Sequence, residues 1–215
     1  GGSFSSGGYF TDGIALYNDG SDIPVANFPV AENGNVLATI PDGNGGWYIA
    51  GSFRSVNGIS RERVAHILPD NTLDTSFDVG KIGPSFRTEQ VTSLALLNNT
   101  LYLGGDFTEI NGELRSRLAA VNATIGALLP WNPGANSTIN TMELNGNELL
   151  VGGSFSGISG EKQSNFAKLD ANTGELISAI GVDGMVNAIE LDGDDIYLGG
   201  SFSSGGYFTD GIALY

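Results

Sequence analysis

A chain of 215 residues with 33 glycines, no cysteine and a single histidine suits many short strands joined by tight turns. It excludes disulfide scaffolds, thiolate chemistry and the usual zinc and haem ligand sets. Twenty-four acidic against nine basic residues give a formal net charge of −15, which repels phosphate backbones and anionic membrane surfaces and makes nucleic acid an unsuitable partner.

In chain order, the first recognisable pattern is Gly2-Ser3-Phe4, a polar loop, then the apolar run Ile14-Ala15-Leu16-Tyr17. The pattern returns as Trp47-Tyr48-Ile49-Ala50 running into Gly51-Ser52-Phe53, and after another polar loop Val64-Ala65-His66-Ile67. Next come Val91, Leu94 and Leu96 at strand spacing, then Leu101-Tyr102-Leu103-Gly104, Gly105-Asp106-Phe107 and Leu118-Ala119-Ala120-Val121. Ile139, Met142 and Leu144 open the following unit, which continues through Leu149-Leu150-Val151-Gly152, Gly153-Ser154-Phe155 and Phe166-Ala167-Lys168-Leu169. Val186, Ile189 and Leu191 lead to Ile196-Tyr197-Leu198-Gly199 and Gly200-Ser201-Phe202. The Gly-x-Phe signatures are 49, 54, 48 and 47 residues apart, a period that belongs to repeat architectures.

Each unit predicts a hairpin, a third strand and a short extended fourth segment such as Glu175-Leu176-Ile177. Asn145-Gly146 and Asp192-Gly193 supply the positive φ that a hairpin turn needs. Three or four strands in about fifty residues make one blade of a β-propeller or one rung of a β superhelix. The class is therefore all-β, with one continuous array whose units span about 18–67, 68–121, 122–169 and 170–215. Gly51, Gly105, Gly153 and Gly200 end their strands where a bulge or close backbone approach needs the missing Cβ. Phe53, Phe107, Phe155 and Phe202 are expected to plug the core between neighbouring units.

These residues resemble the delta-60 repeat family, a kelch-like group of β-propeller repeats in secreted and cell-surface proteins, mostly bacterial. The resemblance is fullest over residues 48–77, through Ile49-Ala50-Gly51-Ser52-Phe53, Asn57-Gly58, Ser60-Arg61-Glu62-Arg63-Val64-Ala65 and Leu73-Asp74-Thr75-Ser76-Phe77. Residues 101–133 match a related variety, with Arg115-Ser116-Arg117-Leu118-Ala119 and Trp131-Asn132-Pro133. The pattern departs in residues 5–13, and residues 80–90 read as an insertion. The resemblance implies a propeller-like fold and a surface location, and no reaction.

Residues 1–17 and 199–215 are the same seventeen residues, offset by 198 positions. Internal units agree only at scattered positions, so the identity reads as a four-unit superrepeat copied as a block, with residues 1–17 the end of a preceding copy. An artificial overlap at the ends is the plainer alternative. The short spacing into Gly200 leaves no linker for leaving a closed four-unit ring, which favours an open superhelical stack over a closed ring.

The residues with chemical potential have structural readings beside the functional ones. Arg61 and Arg63, repeated as Arg115 and Arg117, are expected to brace turns through carbonyls or neighbouring acids, since Gln163 and Asn165 replace them in the next unit. Trp47 shares its slot with Leu101 and Leu149 and is expected in the core, whereas Trp131, between Pro130 and Pro133, is the candidate for an exposed contact. His66 is expected to be a strand residue facing solvent. Acidic turns at residues 19–22, Asp183-Gly184 and Asp192-Gly193-Asp194-Asp195 offer oxygens to Ca2+ without either established calcium-loop order. Asn98, Asn122 and Asn136 begin glycosylation sequons. The function expected is that of a secreted, extracellular cell-surface protein: a stalk or filament with adhesive loops, non-catalytic and without cofactor, its partners further copies of itself and surface glycans or proteins. The alternative is a closed β-propeller that binds a glycan, small ligand or protein on one face.

Overall fold

The computed structural model describes residues 28–84, 89–178, 180–203, 207–209 and 212–214; Gly2-Ser3-Phe4 and the acidic turn at residues 19–22 lie outside them. Among the described residues every regular element is a strand and every strand pairing is antiparallel. The first unit holds β1 (Ala31–Glu32), β2 (Val36–Pro41), β3 (Trp47–Gly51), β4 (Ser55–Val56), β5 (Ile59–Ser60) and β6 (Val64–Ile67). The second holds β7 (Val91–Leu97), β8 (Thr100–Gly105), β9 (Glu109–Ile110), β10 (Glu113–Leu114) and β11 (Leu118–Asn122). Then follow β12 (Ile139–Asn145), β13 (Glu148–Gly153), β14 (Phe166–Asp170) and β15 (Leu176–Ser178). The last unit has β16 (Met185–Asp192), β17 (Asp195–Ser201), β18 (Tyr207–Thr209) and β19 (Ile212–Leu214).

The main sheets run β2-β3-β6, β7-β8-β11, β12-β13-β14-β15 and β16-β17-β19-β18. Their hairpins close as the sequence requires. The pairs Leu97 with Thr100, Asn145 with Glu148 and Asp192 with Asp195 leave two-residue turns, and Asn98, Gly146 and Gly193 take φ of 54, 59 and 61° there. Between β2 and β3 the turn is longer, and Asp42 Oδ1 holds it by accepting from Asn44 N and Gly46 N. The fourth, outer strand is present as β15 and β18. In the first two units it shrinks to single bridges, Ile67 to Leu73 and Val121 to Leu128, because the chain then turns to bury Phe77 and Trp131 between sheets. In the last sheet the outer strand, β18, precedes the third in sequence.

One register recurs in all four sheets. Val36 pairs Gly51, Val91 pairs Gly105, Ile139 pairs Gly153 and Val186 pairs Gly200, and a register shift follows at once in each. The supposed insertion at residues 80–90 is narrower than the sequence suggests. Ile82 bridges Ile110 as Ala31 pairs Val56 and Ala135 bridges Ile158, so the extra length falls between Ile82 and Val91.

Strand β2 packs against β7, β7 against β12 and β12 against β16. Alternation along each strand sends one set of side chains to the preceding sheet and the other to the following one. Tyr48, Ala50 and Phe77 thus meet Leu94, Leu101 and Phe107, while Tyr102 and Ala120 meet Met142, Leu149 and Phe155. Leu150 and Phe166 meet Val186, Ile189 and Ile196. Among the described residues the stack is open: no packing of the last sheet on the first accompanies the serial contacts. Among the described residues the last sheet's outward face has no covering sheet, and Tyr197 is 37% exposed where Tyr48 and Tyr102 are 4% and 2% exposed.

Candidate functional site

The repeated Gly-x-Phe loop is built around close approach rather than unusual dihedrals. A Cβ on Gly51, Gly105, Gly153 or Gly200 would overlap the carbonyl oxygen of Asn35, Gln90, Thr138 or Met185 respectively, and none of the four has positive φ. The preceding glycine has a separate task. A Cβ on Gly104 would stand 2.8 Å from Ile139 Cγ2, and one on Gly152 would stand 2.6 Å from Val186 Cγ1, so each lets the next unit's first strand settle onto the sheet. Beyond the glycines, Phe53, Phe107, Phe155 and Phe202 are all buried.

The chain comes back to this loop at a left-handed residue. Arg63, Arg117 and Asn165 have φ of 69, 70 and 62°, and their amides donate to the carbonyls of Phe53, Phe107 and Phe155 at 2.9 Å in each case. Their side chains reach onward or back: Arg63 Nε donates to Glu89 O at 2.6 Å and Asn165 Nδ2 to Val182 O at 2.9 Å, while Arg117 Nη1 meets Phe107 O only at 3.4 Å. Arg61 Nη2 donates to Thr75 O at 3.0 Å and Arg115 Nη2 to Leu129 O at 3.1 Å. Arg61, Arg63 and Arg115 are therefore buried braces on backbone carbonyls, supplemented by Asp78, Glu62 and Glu113, and Arg117 is a half-buried one.

His66 differs from expectation. It is buried, stacked on Tyr48 with ring centroids 4.4 Å apart, and bonded through both ring nitrogens, Nδ1 to Asp74 at 2.9 Å and Nε2 to Asp42 at 3.0 Å. Two carboxylates that lie 32 residues apart in sequence converge on it because the β2–β3 turn and the segment after Leu73 flank β6. Burial raises the pKa of each carboxyl. For Asp42 the Asn44 and Gly46 amides and His66 outweigh burial, and for Asp74 Ser76 and His66 do, so both lie below the ordinary value. Tyr48 is pushed up to about 12 by burial and then by these two charges, and its hydroxyl donates to Ala123 O at 2.6 Å.

Trp131 is not an exposed contact. It is 7% exposed and lies edge-on to Tyr102 at 5.1 Å, because its loop folds over Gly174 of the next unit. Trp47, expected in the core, is 38% exposed: the preceding sheet that covers Leu101 and Leu149 has no counterpart for it among the described residues. Asp183 accepts from Ser203 N and Oγ, and among the described residues no three His, Cys, Asp or Glu side chains are placed to hold a metal ion. Of the sequons, Asn122 and Asn136 each use Oδ1 to accept from two backbone amides, while Asn98 sits in an exposed turn. A depression of about 510 Å³ opens between the second and third units, bounded by Ser116, Pro133, Asn136, Ile158, Glu161 and Lys162.

Repetition of one antiparallel sheet of three or four strands around closely packed first strands is a known architecture. Solved structures share it. The computationally designed Ika4 protein superposes with a TM-score of 0.52 at 13% identity, over 84% of this chain and 89% of that one. The WD40 β-propeller domain of Doa1 superposes with a TM-score of 0.53 at 14% identity, over 79% of this chain and 49% of that one. The fold is β-propeller-like. Residues 43–77 match the domain of unknown function DUF5122, a β-propeller family; no curated protein matches the chain. The chain spans about half the length of the Doa1 chain.

Proposed function

We propose that this β-propeller-like chain is a non-catalytic structural repeat protein of the cell exterior, whose open stacks join into a stalk or filament that displays variable loops for adhesion. The observation that carries this reading is the uncovered face of the last sheet, whose Tyr197 is 37% exposed in a slot that is closed in the first two units. Sheets that cover one another in series and do not close present the next sheet with a ready surface. The match at residues 43–77 falls on the stretch where the delta-60 resemblance is fullest and supports a propeller-type repeat. The groups that chemistry would need are engaged internally: both His66 nitrogens meet carboxylates and the Tyr48 hydroxyl meets a carbonyl. Electron microscopy of chains carrying two and four superrepeats tests the reading. Particle length should grow in proportion to copy number, and a compact ring of fixed outline would refute it.

A second reading rests on the depression at Ser116, Asn136 and Lys162, which suits a glycan or small ligand. Glycan-array binding by the 215-residue chain that is lost on Lys162→Glu would favour it.

A further inference from the structure

Two contacts recur at the junctions between successive sheets, each at two of the three, and the last sheet carries the donor side of both without an acceptor among the described residues. At the first junction Tyr48 OH donates to Ala123 O at 2.6 Å, and at the second Tyr102 OH donates to Ala171 O at 2.7 Å. Leu150 stands in this slot at the third junction; Tyr197 stands there on the outward face of the fourth sheet. A second contact runs between first strands. Thr92 Oγ1 donates to Ile139 O at 2.5 Å, and Asn140 Nδ2 to Val186 O at 3.1 Å. The residue one place beyond the Gly-paired valine in the last sheet is Asn187, whose Oδ1 accepts from Asn140 and whose NH2 meets no acceptor among the described residues. The third element is space. Gly104 and Gly152 lie under Ile139 and Val186, but a Cβ on Gly199 would meet only Ala188, at 3.5 Å.

The acceptor side is present at the other end of the chain. Register aligns Ile67 with Val121 and Leu169, each facing the strand residue before its tyrosine slot. Two residues on, Pro69 therefore occupies the place of Ala123 and Ala171. Those alanines are 5% and 1% exposed, whereas Pro69 is exposed. Val36 likewise occupies the place of Ile139 and Val186 through its pairing with Gly51. The 198-residue offset places the unit containing Val36 and Pro69 next after residue 215 if the superrepeat continues.

We propose that the outward face of the fourth sheet is the docking site for the first unit of a following copy of this chain, with Tyr197 OH donating to the copy's Pro69 carbonyl and Asn187 NH2 to its Val36 carbonyl, and with the copy's Val36 side chain seated over Gly199. This rests on the repeat reading above and specifies its joint. Donor and acceptor are both neutral, so the contact forms despite a formal charge of −15 on each copy, and added salt strengthens it by screening the repulsion.

The test is a chain in which residues 18–215 follow Tyr215, preserving the offset. With no native cysteine, Tyr197→Cys in the first copy and Pro69→Cys in the second are the only thiols, and a short bismaleimide followed by proteolysis and mass spectrometry maps their proximity. The expected result is a link between these two positions. No link in a molecule whose melting curve shows both copies folded would overturn the proposal, as would a preferential link when both cysteines lie in the same copy, which would mean ring closure. As a second measurement, Tyr197→Phe in the first copy should speed amide exchange in β2 of the second by about three- to tenfold, the loss of one neutral hydrogen bond, and should leave the single 215-residue chain unaltered. Unchanged exchange in the tandem chain would also overturn it. Shape and joint fail separately: a compact array that gives the link refutes the filament alone, and an elongated one without it refutes this joint alone.

Discussion

Arg63, Arg117 and Asn165 hold the same left-handed turn, and what distinguishes them is where the side chain goes. A left-handed φ costs a non-glycine residue about 1–2 kcal/mol, a strain shared by all three units, so the onward hydrogen bond decides the balance. Arg63→Ala should cost about 2–3 kcal/mol in urea unfolding, since the buried Glu89 carbonyl loses its 2.6 Å donor. Arg63→Asn, which copies the residue of the third unit, should cost clearly less because a short amide keeps the turn and a donor. The His66 clamp has a different signature. Asp42 and Asp74 lie below the ordinary carboxylate value of about 4, so on acidification the unfolded chain takes up protons first. Their stabilisation is present above about pH 4 and is lost as pH falls through the folded values. Asp74→Asn should flatten that acid limb in denaturant midpoints measured from pH 7 downward. Tyr48 works in the opposite sense: its contribution is whole below about pH 10 and is lost as pH rises through about 12, so Tyr48→Phe should shrink the alkaline limb, leaving the part that comes from Tyr102, which burial also raises.

At the level of the strand, the paired glycines divide into a position that serves its own sheet and a position that serves the next. Gly105→Ala would press a methyl into the Gln90 carbonyl and should lower stability by about 3 kcal/mol, at the upper end of overpacking costs. Gly104→Ala meets the flexible Met142 side chain as well as Ile139 and should cost about 1 kcal/mol, while Gly199→Ala, with only ordinary contact at 3.5 Å, should leave the melting temperature of the single chain unchanged. These elements were readable in advance because each unit repeats the pattern: the Gly-x-Phe signature, the valine and isoleucine strands and the turn glycines recur at fixed offsets. What escaped the sequence were three side chains whose surroundings come from another unit or from a non-repeated turn. Trp47 holds a core slot by alignment and is exposed because its covering sheet is not among the described residues. His66 shares its slot with Ala120 and Lys168, and its burial depends on Asp42 and Asp74, which have no period. Trp131, between prolines, read as the candidate for an exposed contact, and the packing of Gly174 beneath it shows that the loop is a wedge.

Across the whole molecule, charge works against the packing. The formal charge of −15 is offset by few ion pairs among the described residues, so repulsion between surface acids outweighs attraction. Raising ionic strength from about 0.01 to 0.15 M shortens the screening length from about 30 to 8 Å and should raise the melting temperature of the chain; a fall on adding salt would show that attractive pairs dominate. The junctions are unequal as well. Thr92 and Tyr102 together fasten the second sheet to the third. Leu37 removes the first-strand donor between the first and second sheets, and Leu150 removes the hydroxyl between the third and fourth. Under tension such an array has built-in tear lines: it parts first at the seams marked by Leu37 and Leu150, and the doubly fastened seam between them holds longest, so a stretched molecule shortens its fall by giving way one sheet at a time.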